Sequence, residues 1–186
     1  SPDRQIIPDK RGSVWAWVAG GAALALGAAV AWHYASAGLT LSHYDAKGHL
    51  VVARRIADSL TPGWIQIGAV WLPLPHLISL VPVQWDVFYR TGAFGVGLSV
   101  CCFALTVGLL ASLVHGFSGS RLAAVAAVLP VALNPSVLYL QSTPMTEPLL
   151  LALLLLATWL AVEAVRSGEP RMDRPAAGCF PRAATS

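Results

Sequence analysis

The sequence predicts an all-α integral membrane protein, a helical bundle with about four transmembrane helices and one long loop after the first. Of its 186 residues, 56% are hydrophobic and only 11% are charged, whereas a soluble domain carries roughly 25% charged residues. The mean hydropathy is +0.64. The apolar residues also fall into runs long enough to cross a hydrocarbon core of about 30 Å. A chain of this composition must expose apolar surface to lipid.

The first predicted span is residues 14–36, a stretch without formal charge. At about 1.5 Å per residue it reaches roughly 30 Å or more, enough to cross a bilayer. It follows a polar segment, residues 1–13, which we expect in the cytoplasm. A signal peptide is the alternative reading, because Ala35-Ser36-Ala37 resembles a cleavage site. The apolar run exceeds the roughly 7–15 residues of such a peptide, so we predict a retained membrane helix.

Residues 37–90 are predicted to form a loop outside the membrane that contains an amphipathic surface helix. Apolar side chains recur there at helical spacing, opposite a polar face: Leu50, Ala53, Ile56, Ala57 and Leu60 against Lys47, Arg54, Arg55 and Asp58. This pattern predicts a helix lying on the membrane surface, ended by Thr61-Pro62-Gly63. The proline-rich stretch 71–82 leaves room for one short helix that cannot span.

Three further spans and a disordered tail complete the predicted bundle: spans at residues 91–114, 122–140 and 148–165, and the tail at residues 166–186. We expect the third span to bend at Pro130 and at Asn134-Pro135, because proline removes a helical hydrogen bond and clashes with the preceding turn.

The basic residues orient this bundle. With both termini in the cytoplasm, the cytoplasmic side holds eight of the twelve Lys and Arg and the loop side holds four: Arg4, Lys10, Arg11, Arg121, Arg166, Arg171, Arg174 and Arg182 against Lys47, Arg54, Arg55 and Arg90. The positive-inside rule favours this orientation, in the cytoplasmic (inner or plasma) membrane. Because the basic residues are scattered or flank apolar runs, we expect no nucleic-acid partner.

Two acidic residues are candidates for chemistry. Asp45 begins the surface helix and could act as a general base, a metal ligand or a contact to a substrate hydroxyl. Glu147 stands at the outer end of the fourth span, where an ionisable residue suggests function. Both have an ordinary structural reading as well, since acids are favourable in the first turn of a helix. The predicted topology places both on the same side of the membrane, so they could meet at one cavity.

The loop also carries histidines. Asp45 and His49 are four residues apart and share a helix face, so with His43 nearby a metal site could form. Surface-exposed histidine is the default reading of that spacing. His76, set among prolines, could donate to an anion or cap a short helix.

Three arginines of the loop could meet phosphate. Arg90 opens the second span and is the best candidate to hold one. For Arg54 and Arg55 we favour ordinary contact with lipid headgroups.

The order of these features resembles the N-terminal part of GT-C superfamily membrane glycosyltransferases, in particular family 39, with the protein O-mannosyltransferases and the lipid A aminoarabinose transferases. The resemblance covers roughly residues 14–165. It rests on one span followed by Asp45 and its surface helix, Pro73-Leu74-Pro75-His76, Arg90, Gly119 to Arg121, Asn134-Pro135, Tyr139 and Thr146-Glu147.

The resemblance implies transfer of a sugar from a polyprenyl-phosphate-linked donor to a glycan, lipid or protein acceptor on the extracytoplasmic side. Asp45 and Glu147 would be catalytic, with a divalent cation, Mg²⁺ or Mn²⁺, at Asp45. The side chains that would bind the donor phosphate or substrate are Arg90, His76 and His49. Many members have a second acid directly after the first and a His-Pro-Pro segment, and this chain departs from both patterns. Members usually have more spans, so we expect a truncated N-terminal fragment that could be inactive alone.

The alternative function is that of a non-catalytic membrane component, such as a transporter or assembly-subunit fragment. Transporters tend to place ionisable residues near the bilayer midplane in broken helices. The predicted spans here are nearly free of charge, and the ionisable groups gather at the outer edge, which favours the enzyme. If so, the carboxylates of Asp45 and Glu147 should open onto one cavity.

Overall fold

The computed structural model describes residues 10–68 and 70–168, and every regular element within them is helical. The α-helices are α1 (Lys10–Ser36), α2 (Tyr44–Arg55), α3 (Pro73–Leu80), α4 (Asp86–Thr91), α5 (Ala93–Ser118), α6 (Arg121–Ala132), α7 (Pro135–Gln141) and α8 (Glu147–Gly168), with short 3₁₀ helices at Trp64–Ile67 and Pro82–Gln84. The all-α prediction is confirmed for this part of the chain. The predicted N-terminal segment up to residue 9 and the predicted tail from residue 169 lie outside it.

Within these residues, three helices are long and apolar enough to cross a membrane: α1 from Val14, α5 and α8. Helices α6 and α7 make a fourth if the bent pair counts as one span. The prediction of about four such helices is confirmed to that extent. Two boundaries differ from it. Helix α5 runs past residue 114 to Ser118, where Gly119 adopts a left-handed φ of 66° and ends it. Helix α8 continues past residue 165, so the predicted tail begins within a helix.

The break between α6 and α7 bends the chain by 66°. The side-chain oxygen of Asn134 accepts hydrogen bonds from the backbone N–H groups of Ser136 and Val137, and Pro135 takes the first helical position. These are the ordinary signals of a new helix start. The predicted bend at Asn134-Pro135 is confirmed, whereas Pro130 stays inside α6 without ending it.

Helix α5 is the centre of the bundle, and α1, α6 and α8 pack against it. Helices α1 and α5 approach most closely at two glycines. A Cβ atom on Gly108 would lie 3.1 Å from the carbonyl oxygen of Ala16, and one on Gly20 would lie 3.3 Å from that of Ala104. Small residues that let two backbones approach are the usual basis of helix packing in lipid. The buried core around this crossing consists of Ala23, Phe103, Val107, Ala111 and Val128.

The outer helices expose apolar surface, as expected of an integral membrane protein. Along α1, Trp17 is 81% exposed and Trp32 is 77% exposed. They are separated by about 23 Å along the helix axis. Tryptophan is enriched at the two interfaces of a bilayer, and this spacing is compatible with such positions. The side chains of α8 that face outward are mostly leucines.

Helices α2, α3 and α4 stand at one end of the bundle, which we call the loop end. It also holds the end of α1 and the starts of α5 and α8. The predicted amphipathic helix is present as α2, but it ends at Arg55, and Leu60 beyond it is fully exposed. The apolar face of α2 is not free to lie on lipid. Leu50 and Ala53 are buried together with Val83 of the same loop.

Ion pairs tie the loop together. Arg54 donates hydrogen bonds to Asp58 at 3.0 Å and to Asp86 at 2.7 Å, and its guanidinium lies 4.5 Å from the centre of the Tyr89 ring. The hydrogen bond from Arg54 lowers the pKa of Asp86. The guanidinium of Arg54 thus binds carboxylates of the loop, where we expected lipid headgroups.

Candidate active site

An open cleft lies at the loop end and is here called the loop-end cleft. Its volume of about 410 Å³ includes the solvent space at its open side. Helices α2 and α3 form one wall, and the start of α5 with the segment before α8 forms the other. The polar side chains that line it are His49, His76, Ser79, Ser99 and Thr146. It thus brings together two of the predicted substrate-binding residues, which are 27 positions apart in the chain.

The two histidines are hydrogen-bonded to each other. Nδ1 of His49 lies 3.1 Å from Nε2 of His76, and Nδ1 of His76 lies 2.9 Å from the carbonyl oxygen of Leu72. Because a carbonyl oxygen can only accept, His76 donates through Nδ1. His76 therefore does not have the predicted helix-cap role. Its ring is hydrogen-bonded to Leu72, directly before α3, and to His49 on α2.

Trp71 covers both histidine rings. Its ring centre lies 4.5 Å from that of His49 and 5.8 Å from that of His76, and it is nearly parallel to the latter. Gly48 makes room for this, because a Cβ atom there would lie 2.6 Å from Trp71. Sequence reasoning missed both residues. The one available signal was a glycine in the middle of a helix, which usually has a packing reason.

The surroundings of His49 and His76 keep both rings neutral near pH 7. Burial lowers the pKa of His49 below its usual 6.5, and His76 and His43 lower it further, whereas Glu147 and Asp45 raise it. Burial also lowers the pKa of His76, which is 1% exposed. The bond to Leu72 raises the pKa of His76 and the charge of Arg55 lowers it. Two neutral imidazoles suit proton acceptance better than the binding of a phosphate anion, for which we predicted them.

These shifts predict a loss of stability in mild acid. A histidine whose folded pKa lies below its unfolded value binds more protons when unfolded, so its contribution is complete above pH 6.5 and is lost as the pH falls below that value. We expect the thermal midpoint in detergent to fall between about pH 7 and about pH 5. In the double variant His49→Gln, His76→Gln the midpoint should fall less over this range. In His33→Gln, a change at an exposed position, it should fall as much as in the wild-type protein. Equal slopes in all three proteins would contradict the assignment.

Asp45 lies in the first turn of α2, as its structural reading predicted. Its backbone N–H donates to Nδ1 of His43, the N-cap residue, at 3.2 Å, and its carboxylate lies 4.0 Å from the same nitrogen. About half of the side chain is exposed. The carboxylate of Asp45 is close enough to His49 to raise the pKa of that ring.

Glu147 begins α8 beside a second, shallow pocket, here called the inner cavity, which Phe103, Thr106 and Gln141 also line. Its Oε2 atom is buried and has no hydrogen-bond partner among the described residues. Asp45 lines neither cavity, so the two carboxylates do not share either of them as we expected. Their charges act instead on His49, whose pKa both of them raise.

The predicted phosphate ligand Arg90 is 77% exposed, lies 3.5 Å from Asp86 and does not line the loop-end cleft. Arg55 is the cation whose charge acts on His76. Its Nε atom donates to the carbonyl oxygen of Gln66 at 2.9 Å, which holds the side chain in place. Arg54 and Arg55 are adjacent on α2, so their side chains point about 100° apart. Only one of them can therefore face His76.

The residues near the cleft do not form an evident metal site. Among the described residues, no group of three or more His, Cys, Asp or Glu side chains is placed to hold a metal ion. Mg²⁺ and Mn²⁺ prefer several oxygen ligands, and the half-exposed carboxylate of Asp45 lies 4.0 Å from a ring nitrogen of His43. A divalent cation therefore remains a prediction of the resemblance, and the chemistry below does not use one.

Comparison with known proteins finds no matching family model, no matching curated protein and no matching solved structure. The function of the loop-end cleft is therefore inferred from its own geometry.

Proposed function

We propose that the chain is a membrane glycosyltransferase, or the N-terminal part of one, that transfers a sugar from a polyprenyl-phosphate-linked donor to an acceptor on the extracytoplasmic side. The position of the loop-end cleft carries this proposal. A cleft that holds histidine and hydroxyl side chains at the end of apolar helices lets the sugar and phosphate reach polar groups while the polyprenyl tail stays in lipid. The ordered resemblance to family 39 enzymes points the same way.

The side chains around the cleft suit this reaction. The donor has an activated leaving group, a lipid phosphate, so the protein must accept a proton from the acceptor hydroxyl and offset negative charge on the phosphate. His49 lines the cleft and is available for the first task, and the charges of Asp45 and Glu147 favour its protonated form. The charge of Arg55, which acts on His76 from outside the cleft lining, is the nearest candidate for the second. Arg90 would serve only if the donor phosphate reached the exposed edge of the loop.

Membrane insertion with the loop end outside is part of the proposal, and cysteine labelling tests it. In a variant without native cysteines, Leu60→Cys should react with a membrane-impermeant maleimide in intact cells, because Leu60 is fully exposed at the loop end. Ser118→Cys, exposed at the opposite end of α5, should react only after permeabilisation. The reverse pattern would invert the orientation, and labelling of both sites in intact cells would argue against insertion.

Sugar transfer itself can be measured in membranes that contain the protein encoded by the intact gene. Supplied with a panel of polyprenyl-phosphate-linked hexoses and pentoses, they should consume at least one donor and release polyprenyl phosphate. Membranes that lack the protein provide the control. Absence of turnover with every donor and with total cell-envelope acceptors would contradict the proposed activity.

A transporter or other non-catalytic component is the second candidate, and one observation favours it. The bent pair α6–α7 ends at Gln141, which lines the inner cavity with Glu147, and each of these residues has a buried side-chain oxygen without a partner among the described residues. Broken helices beside an ionisable residue are typical of transporters. Uptake of solute into proteoliposomes without donor turnover would favour this candidate.

A further inference from the structure

We propose that Nε2 of His49 is the proton acceptor of the loop-end cleft, and that His76 is the positioning residue that keeps this nitrogen unprotonated. For its chemical step the inference rests on the proposed transfer reaction. The state of the nitrogen rests on the hydrogen-bond geometry together with the burial that keeps both rings neutral.

The carbonyl oxygen of Leu72 fixes the proton of His76 on Nδ1. A neutral His76 then has a lone pair on Nε2, so the 3.1 Å contact with His49 must be donated by Nδ1–H of His49. A neutral His49 with its proton on Nδ1 has its own lone pair on Nε2. The carbonyl and the two rings thus form a chain in which each hydrogen bond fixes the tautomer of the next group.

The lone pair of His49 is accessible. The described residues provide no hydrogen-bond partner for its Nε2 atom. That atom is also not among the buried side-chain polar atoms that lack a partner, so solvent can reach it. Both histidines line the cleft, but His76 is nearly fully buried with both ring nitrogens engaged, whereas His49 is partly exposed. Of the two rings, His49 is therefore the one that can meet a substrate hydroxyl.

In the proposed step, the acceptor hydroxyl oxygen forms a bond to the anomeric carbon of the donor sugar as the bond from that carbon to the phosphate oxygen breaks. The hydroxyl proton moves to Nε2 of His49, and the phosphate leaves with the electron pair of the broken bond. His49 becomes an imidazolium that still donates through Nδ1 to His76. It returns its proton to the leaving phosphate or to water, which restores the starting state.

The carboxylates fit this step as stabilisers of the transient cation. Asp45 on α2 and Glu147 on α8 both favour the protonated form of His49, while His43 and His76 disfavour it. This assigns the carboxylates an electrostatic role that needs no direct contact with the proton. It also explains how two acids that line no common cavity can serve one reaction.

The state of the nitrogen can be tested without any activity. The chain is labelled with ¹⁵N-histidine in nanodiscs at about pH 7.5, and two-bond proton–nitrogen correlations are assigned with His→Gln variants. We expect both His49 and His76 to be neutral with the proton on Nδ1. A proton on Nε2 of His49, or an imidazolium at His49, would overturn the proposal.

Two substitutions separate positioning from mere packing. In His76→Gln, the side-chain amide oxygen can still accept a hydrogen bond from Nδ1–H of His49, so the Nδ1–H signal of His49 should persist. Leucine in His76→Leu cannot accept, so the proton of His49 should redistribute between its nitrogens. An unchanged tautomer in His76→Leu would remove His76 from the positioning role.

The chemical step is tested in the protein encoded by the intact gene. His49→Gln should lower sugar transfer by about 10²- to 10⁴-fold, the usual contribution of a general base, while His33→Gln, exposed at the end of α1, should keep it. Undiminished transfer in His49→Gln would refute the role as proton acceptor. If the wild-type protein transfers no sugar, the proposed function fails, and the tautomer measurement still decides the state of the nitrogen.

Discussion

Replacing Asp45 with asparagine should lower sugar transfer by roughly 10-fold, the effect of about 1.4 kcal/mol of lost charge stabilisation, with no loss of membrane insertion. The change removes one negative charge while keeping size and hydrogen-bonding capacity. Asp45 raises the pKa of His49, so its loss makes protonation of that ring less favourable during transfer. The measurement is initial-rate transfer with donor in excess, on membranes with equal amounts of inserted protein.

Asp58→Asn is the matched control for this variant. Asp58 lies in the same loop and is exposed, but its carboxylate is bound by Arg54 rather than directed at the histidines. Transfer by Asp58→Asn should stay near the wild-type rate. If Asp45→Asn is as active as Asp58→Asn, Asp45 has no part in the mechanism.

Glu147, at the start of α8, allows the same comparison. Glu147→Gln should reduce transfer because it removes the second carboxylate that favours protonated His49. Glu163→Gln, near the far end of α8 and paired with Arg166, should leave transfer unchanged. Similar activity in the two variants would confine Glu147 to a structural role at the start of α8.

Replacing Gly95 with alanine should destabilise the protein by about 1–3 kcal/mol, the usual cost of overpacking. A Cβ atom at Gly95 would lie 2.5 Å from Cβ of Pro144 and 3.1 Å from its Cα, which is backbone and cannot rotate away. The segment before α8 would have to shift, and that segment forms one wall of the loop-end cleft. We therefore expect both a lower thermal midpoint and weaker transfer.

Gly97→Ala is the control in the same helix. A Cβ atom at Gly97 meets nothing within 4 Å, so this variant experiences only the higher helix propensity of alanine, up to about 1 kcal/mol. The two substitutions should change the midpoint in opposite directions. A gain in stability from Gly95→Ala would show that Pro144 does not pack against α5 in this way.

Much of the fold is predictable because membrane helices are specified by local features. Long apolar runs predict α1, α5 and α8, since each satisfies its own backbone hydrogen bonds. The break between α6 and α7 follows from Asn134 and Pro135, whose effects are also local. The end of α2 was harder to predict, because the apolar residues continue to Leu60 after the helix has stopped.

The candidate site is less predictable because it depends on contacts between distant residues. Asp45 and His49 suggested a metal site by their spacing, but His49 is hydrogen-bonded to His76, which lies on another helix. The role of His76 depends in turn on the carbonyl of Leu72, which no side-chain pattern indicates. Arg90, the predicted phosphate ligand, lies beside Asp86 of the loop and does not line the cleft. The charge of Arg55, for which we expected lipid headgroups, acts instead on His76.

Photo-crosslinking of polyprenyl phosphate, the lipid part of the donor, gives the most direct test of the central claim, that the loop-end cleft binds the lipid phosphate of a lipid-linked sugar. A polyprenyl phosphate with a photoreactive group beside the phosphate is illuminated with the protein in nanodiscs, and the labelled peptides are mapped by mass spectrometry. We predict labels on α2 and α3 around His49, His76 and Ser79, suppressed by excess unlabelled polyprenyl phosphate. Labels confined to the exposed leucines of α8, or labels that excess polyprenyl phosphate does not suppress, would contradict the claim.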